Sequence, residues 1–238
     1  MIKFLTRIFF ISIFISGLLF LVKDYNPFNK NDFSRIIKNG EIRVVTRFGP
    51  TNYYEIQNEE NGYTYDLISD FAKFIGVKLK VITMDNLQQA KIALNNREVD
   101  MLANMGVVND VKISYSYNKV SHYIVYNSDY MIKPNQISDL RKSRIEIIDS
   151  SSIKDSFNIF TKNIDINYTI AKDKNIDEMI NLLKDNEIDF TVVSYNELQI
   201  YNKYYPQIKI AFKIRENINS SWAIPENTSY VFENKISE

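Results

Sequence analysis

His122 is the one histidine in the chain, and there is no cysteine. Imidazole chemistry therefore has a single candidate, and a multi-histidine metal site, a zinc-thiolate site, thiol catalysis, disulfides and a lipidated cysteine are all excluded. No cofactor is implied. The remaining groups able to hold a ligand are hydroxyls, amides and a few charges placed after apolar runs. In open α/β sheets ligands collect outside the carboxyl ends of strands. That rule nominates the stretch 46–54, with Thr46, Tyr53 and Tyr54; the stretch 104–106, with Asn104 and Gly106; Ser150–Ser152; and Ser194-Tyr195. Ser151 and Ser152 stand where a helix begins, so free backbone N–H groups there can receive an anion, or the serines simply cap the helix. Tyr53 and Tyr54 either stack on a ligand or cover a core. Gly106 either admits a close backbone approach or makes a turn. His122, at the entrance of a long strand, reads as structural, and Trp222 as packed in a returning strand.

The elements that must position these groups follow from composition and periodicity. The chain has 238 residues, 45% hydrophobic and 24% charged, with 29 basic and 29 acidic residues, so its formal charge is zero. A balanced charge lacks the basic face of a nucleic-acid binder, so no nucleic-acid partner is expected. Lys3 and Arg7 precede the apolar run Ile8–Val22, and Lys23-Asp24 closes it. This is the pattern of a secretory signal or signal anchor. As a helix the run reaches roughly 22 Å, short of a bilayer core of about 30 Å; adding Phe4-Leu5 brings it close to spanning. No small-x-small cleavage triplet follows, which favours an uncleaved anchor. The expected organisation is a signal anchor or signal peptide over 1–24, a linker and lead-in helix over 25–38, and an extracytoplasmic remainder tied to the membrane by residues 4–22.

Beyond the linker, short apolar runs alternate with amphipathic helices, the α/β signature. Expected strands are Ile42–Thr46, Leu79–Met84, Asp100–Ala103, His122–Ile132, Arg144–Ile148, Asp189–Val193, Ile208–Ile214 and Ser220–Ile224. One helix from about Thr64 stops at Gly76. A second is expected to be capped by Asp85 with Gln88, a third by Asn175 with Glu178, and a fourth by Ser152 with Asp155. Asn96-Arg97-Glu98-Val99-Asp100 recurs in outline as Asn186-Glu187-Ile188-Asp189, 89 residues on. Each copy closes a helix and opens a buried strand, which argues for two similar lobes. His122–Ile132 is long enough to cross between lobes, and Lys213–Ser221 offers the return. The expected division is lobe 1 over 39–126, lobe 2 over 127–214 and a return to lobe 1 over 215–238.

Ile42–Tyr54, Gly62–Leu67, Phe71-Ala72 and Ile75–Leu79 together resemble extracytoplasmic solute-binding proteins of the amino-acid-binding class. Thr46-Arg-Phe-Gly-Pro-Thr-Asn-Tyr-Tyr54 most resembles the binding domain of the membrane-bound lytic transglycosylase F family. The likeness runs from about residue 38 to 225 and is strongest over 40–106; Leu140, Asp149–Ser152, Glu187–Asp189 and Ser221–Ala223 carry it in the second half. It implies an α/β, two-lobe type II periplasmic-binding-protein fold with a two-stranded hinge, preceded by an N-terminal hydrophobic helix. It also implies a small-molecule ligand, whether amino acid, peptide or muropeptide, and a cell-wall or transporter partner. That family adds a lysozyme-like domain that cuts peptidoglycan. The marks of that domain, a Glu-Ser pair and a Gly-x-x-Gln stretch, are missing here, and the helix that completes lobe 1 is expected to be short or absent. The chain is therefore expected not to be an enzyme. The alternatives are a truncated lytic transglycosylase acting on peptidoglycan, or the substrate-binding component of an amino-acid ABC transporter.

The resemblance also implies a charge clamp: an arginine after the third strand for the ligand carboxylate, and an acid after the last lobe-2 strand for its ammonium. Here the first loop offers Lys112 without an arginine's bidentate fork, and the acid position falls on Ser194. A larger, neutral or peptidoglycan-derived ligand fits these substitutions as well.

Overall fold

A computed structural model describes residues 32–106 and 109–238. The expected anchor and most of the linker lie outside the described residues, among which no helix is long and apolar enough to cross a membrane. The lead-in helix is present as α1 (Asp32–Asn39).

The first sheet has the order β4-β1-β5-β12-β6. β1 (Glu41–Thr46) lies parallel to both β4 (Lys78–Thr83) and β5 (Met101–Ala103), while β12 (Trp222–Ile224) runs antiparallel to β5 and to the short edge strand β6 (Lys112–Ile113). Between these strands come α2 (Tyr63–Phe74) and α3 (Leu87–Asn95). The alternation of strand and helix follows from the parallel pairs, which need a crossover. Ile68, Phe71 and Ala72 of α2 close one side of the sheet against Ile42, Val44 and Met101, and Leu87, Ala90 and Leu94 of α3 close the other against Val45 and Leu102. A strand covered on both faces loses its alternation, as the fully buried β5 shows.

The second sheet has β7 (Asn118–Asn127) at its centre, antiparallel to β10 (Thr191–Ser194) on one side and β11 (Ile208–Ser220) on the other. A parallel pair, β8 (Glu146–Ile148) and β9 (Thr169–Ala171), extends it through the Ile145–Phe190 bridge. Helices α4 (Ser151–Thr161), α5 (Ile176–Lys184) and α6 (Tyr195–Tyr201) cover it. Two apolar clusters result, one around Met179, Ile180 and Val193 and one around Phe157, Ile147 and Val192.

Several sequence expectations shift. β7 starts at Asn118 and ends at Asn127, so Met131 and Ile132 are not strand; Ile132 is 92% exposed, and the Asn127 side chain turns to donate to the Lys184 carbonyl at the end of α5. β7 pairs with β10 through His122–Val125, so the boundary expected at 126/127 falls at the far end of a strand that belongs to the second sheet. The two chain passages between sheets instead lie near 114–118 and 220–222, where Ser114 N–H donates to the Trp222 carbonyl and Tyr117 N–H to the Ser220 carbonyl. The hairpin β2 (Tyr54–Ile56) and β3 (Glu59–Asn61) was not expected. Asn86, not Asp85, caps α3, accepting from Gln89 N–H at 3.0 Å. Ser150, not Ser152, stands at the start of α4, and Asp155 is exposed. Asn175 and Glu178 do form the capping box of α5. The last helix of the first lobe is short but present: α7 (Tyr230–Ser237) buries Phe232 against Phe33 at 6.1 Å between ring centroids. Trp222 sits in the first sheet's core, 5.4 Å from Phe71 and 5.6 Å from Tyr117.

Candidate ligand-binding site

A cavity of about 450 Å³ opens between the two sheets, within the roughly 300–1,000 Å³ usual for small-molecule sites. Its first wall comes from the carboxyl ends of β1 and β5 and the start of α2. Its second wall comes from the starts of α4 and α6, and its floor from the β7–β11 ribbon. Every wall is thus a place where a strand ends or a helix begins, because that is where backbone groups are left unpaired.

Of the residues singled out in sequence, Asn104, Gly106, His122, Ser150, Ser152 and Ser194 line the cavity; Thr46, Tyr53, Tyr54, Lys112, Ser151 and Tyr195 lie outside it. Thr46 is fully buried beneath the wall. The Tyr53 hydroxyl shares its one proton between Glu55 at 2.6 Å and Glu60 at 3.0 Å, so it braces the β2–β3 hairpin; burial, and then these carboxylates, push its pKa above the ordinary phenol value. Tyr54 is a half-buried strand residue of the same hairpin. Lys112 pairs with Glu233 of α7 at 2.5 Å, which draws its ammonium toward the helix rather than the cavity.

Arg47 and Glu197 were not singled out, and they are the ionisable pair of the cavity. Arg47 follows β1 and is 5% exposed. Its Nη1 donates to the Asp85 carbonyl at 2.9 Å, on the first sheet's side, and its Nη2 to the Asp149 carbonyl at 2.6 Å, on the second sheet's side. Burial lowers its pKa, opposed by the nearby carboxylates of Asp85, Asp149 and Glu197. Glu197 is the third residue of α6 and reaches back to accept from Ser194 N–H at 2.8 Å, while Ser194 Oγ accepts from Glu197 N–H at 3.3 Å. Burial pushes this carboxyl above its usual range, opposed by the Ser194 bonds and Arg47. The Ser-x-x-Glu spacing was readable as a capping box, and that signal would have found Glu197.

The walls are tied together at three points. Besides Arg47, Ser152 N–H donates to the Gly106 carbonyl at 3.2 Å, and Asn86 Nδ2 donates to Asp173 at 2.7 Å. Gly106 has φ +65°, and a Cβ there would lie 2.0 Å from Ser150 Oγ. Glycine is thus required twice over, for backbone conformation and for the approach of the second wall. Its neighbour Asn104 also adopts φ +54°, a conformation that asparagine tolerates better than most side chains, and donates to Asn52. On the floor, His122 is 4% exposed, with Nδ1 2.9 Å from Ser156 Oγ. Ser156 donates its proton to the Ser152 carbonyl at 2.7 Å, so His122 donates from Nδ1. Burial, with a smaller contribution from Arg215, pushes its pKa down to about 4, and the ring is neutral near pH 7.

No family model matches the chain. It is 28% identical over 211 residues to the membrane-bound lytic murein transglycosylase F of Pseudomonas putida (strain GB-1), an alignment covering 86% of this chain and 43% of that protein. The transglycosylase F of Pseudomonas fluorescens (strain Pf0-1) is 28% identical over 201 residues, 82% of this chain and 41% of that protein. The chain thus spans less than half the length of these curated relatives. Among solved structures, the arginine-bound form of truncated ArgBP from T. maritima superposes with a TM-score of 0.73 at 17% identity, covering 86% of this chain and 96% of that one. An ancestral arginine-binding protein bound to arginine gives 0.71 at 22% identity, covering 83% and 89%. The fold is that of these amino-acid-binding proteins.

Proposed function

We propose that this chain is an extracytoplasmic solute-binding domain, a ligand-sensing or regulatory module comparable to the part of transglycosylase F that it matches. The observation that carries the reading is the cavity whose two walls come from different sheets and meet through Arg47, Gly106–Ser152 and Asn86–Asp173. A ligand that contacts both walls favours their closed arrangement by its differential affinity for it. In this reading β7 and β11 form the hinge, lobe 1 holds the first sheet with α1 and α7, and lobe 2 holds the second. The register irregularities of β11 between Ile210 and Ile218 support a ribbon able to bend. The basic-then-apolar N-terminal segment supports export and anchoring to the membrane. Binding rather than catalysis is the role of the cavity, since Glu197, the one carboxyl among its described lining residues, is committed to the start of α6.

The test is a thermal-shift screen of the full chain with amino acids, short peptides and muropeptides. A binder should raise the melting temperature, by about 2.7 kcal/mol of stabilisation at a hundred times its Kd. Gly106→Ala, which forces Ser150 away from the first wall, should abolish that shift while the protein stays folded. A ligand bound equally well by Gly106→Ala would sink the two-wall mechanism.

A further inference from the structure

Building on the solute-binding reading, we propose that the cavity selects an uncharged ligand rich in amide or hydroxyl groups, and that this ligand rests a flat ring against tyrosines at the outer end. Among the described lining residues, Arg47 and Glu197 are the guanidinium and the carboxyl, while His122 is held neutral by burial. Neither is presented as a free partner: both terminal nitrogens of Arg47 hold backbone carbonyls, one from each side, and Glu197 holds the Ser194 N–H. A free amino acid would bring a carboxylate and an ammonium into this space, and each would lose water without gaining a dedicated opposite charge.

The rest of the inner end is neutral and short-armed. Asn52, Asn104, Ser150, Ser152 and Asn196 bring amide and hydroxyl groups from both walls. Such groups donate and accept alike, and so match carbonyl, amide and hydroxyl functions. Toward the strap that follows β6 the lining changes character. Tyr63 is 50% exposed and Tyr115 78% exposed, and Tyr117 beside them is seated on Trp222 at 5.6 Å, which is itself seated on Phe71. Large rings left open to solvent at the end of a cavity offer apolar area to a second ring, whether the face of a pyranose or an aromatic group. Trp222 is the sole tryptophan of the chain, and its contact with Tyr117 makes it a natural reporter of that end.

The experiment titrates the full chain with four probes by calorimetry and tryptophan emission. They are the β-linked disaccharide of N-acetylglucosamine, N-acetyl-tyrosinamide, L-arginine and L-glutamate. At least one neutral probe should bind about tenfold or more tighter than either amino acid and should change the Trp222 emission; which of the two does so separates a sugar from a capped peptide as the source. Tyr115→Ala, at an exposed position, should weaken that probe by about threefold to tenfold, the worth of one aromatic contact. Tighter binding of arginine or glutamate would overturn the uncharged-ligand inference while leaving the solute-binding reading intact. A neutral probe indifferent to Tyr115→Ala would overturn the tyrosine shelf. Failure of all four probes would overturn this inference, and the broader screen with Gly106→Ala judges the solute-binding reading separately.

Discussion

In the first sheet, Asp100 accepts from the backbone N–H of Arg43 at 2.9 Å and from its Nε at 3.1 Å, while Asp100 N–H donates to the Arg43 carbonyl at 2.8 Å. In the second, Asp189 repeats these bonds with Arg144 at 2.7, 3.2 and 2.8 Å. The preceding turn residues, Arg97 and Asn186, have φ of +59° and +58°. The two sites are therefore one device used twice, pinning the chain that enters a strand after a helix to Arg43 of β1 in one case and to Arg144, just before β8, in the other. Their surroundings differ. The Asp100 side chain is fully buried and also meets Arg35 of α1, whereas the Asp189 side chain is 18% exposed and its Arg144 52% exposed. The same local sequence makes the same bonds, and the covering elements decide what those bonds are worth.

The largest expected effect tests that statement directly. Asp100→Ala leaves two partly buried guanidinium groups without their anion and should lower the unfolding free energy by about 3 kcal/mol or more, measured by denaturant titration. Asp189→Asn should cost about 1 kcal/mol, because solvent already weakens an exposed pair. Equal losses at the two sites would break the comparison.

pH sharpens it further. Burial alone would raise the Asp189 pKa, but the Arg144 side-chain and backbone hydrogen bonds and its charge outweigh burial and hold the group below its ordinary 3.8. A depressed carboxylate contributes its stability in full above the unfolded value and loses it as pH falls through the folded one. The stability gap between wild type and Asp189→Asn should thus be constant from neutrality to about pH 5 and shrink below about pH 4. A gap that persists undiminished at pH 2 would show that the loss comes from packing rather than charge.

The smallest effect concerns a pair that joins the edge strand of the first sheet to α7. Lys112 and Glu233 are each about one-third exposed, so Lys112→Ala should change stability by no more than about 0.5 kcal/mol. It should also leave affinity for any cavity ligand unchanged. A tenfold loss of binding would mean that Lys112 of β6 supplies a charge to the ligand, contrary to the uncharged-ligand inference.

The α/β order, the twofold echo and the Asn175 capping box were legible in sequence because each is a local signal: an apolar run, a helical stripe, a turn with a fixed spacing. The β2–β3 hairpin was not. Its residues are largely exposed on both faces, so burial leaves no alternation to read, and its turn is made by Gln57 and Asn58 at φ +53° and +66°, without a glycine. β9 was missed because three residues carry too little pattern. For the cavity, the strand-end rule named segments that line it, but the individual residues divided. In the stretch 46–54 it is Arg47, Thr51 and Asn52 that reach the cavity, while Thr46 and Tyr53 turn into the structure.

The sequence by itself determined that short apolar strands would alternate with amphipathic helices, to within a residue or two where several of those helices would start, and that strand ends would carry hydroxyls, amides and few charges. Those properties depend on residues near one another in the chain, where period and capping act. Tertiary structure alone decided which charges meet. Arg47 finds the Asp149 carbonyl 102 positions away, Lys112 finds Glu233 121 positions away, and Gly106 accepts Ser150 against it only because the second wall closes there. A charged side chain takes whichever partner burial leaves within reach, and that partner is set by how two sheets pack, not by spacing along the chain.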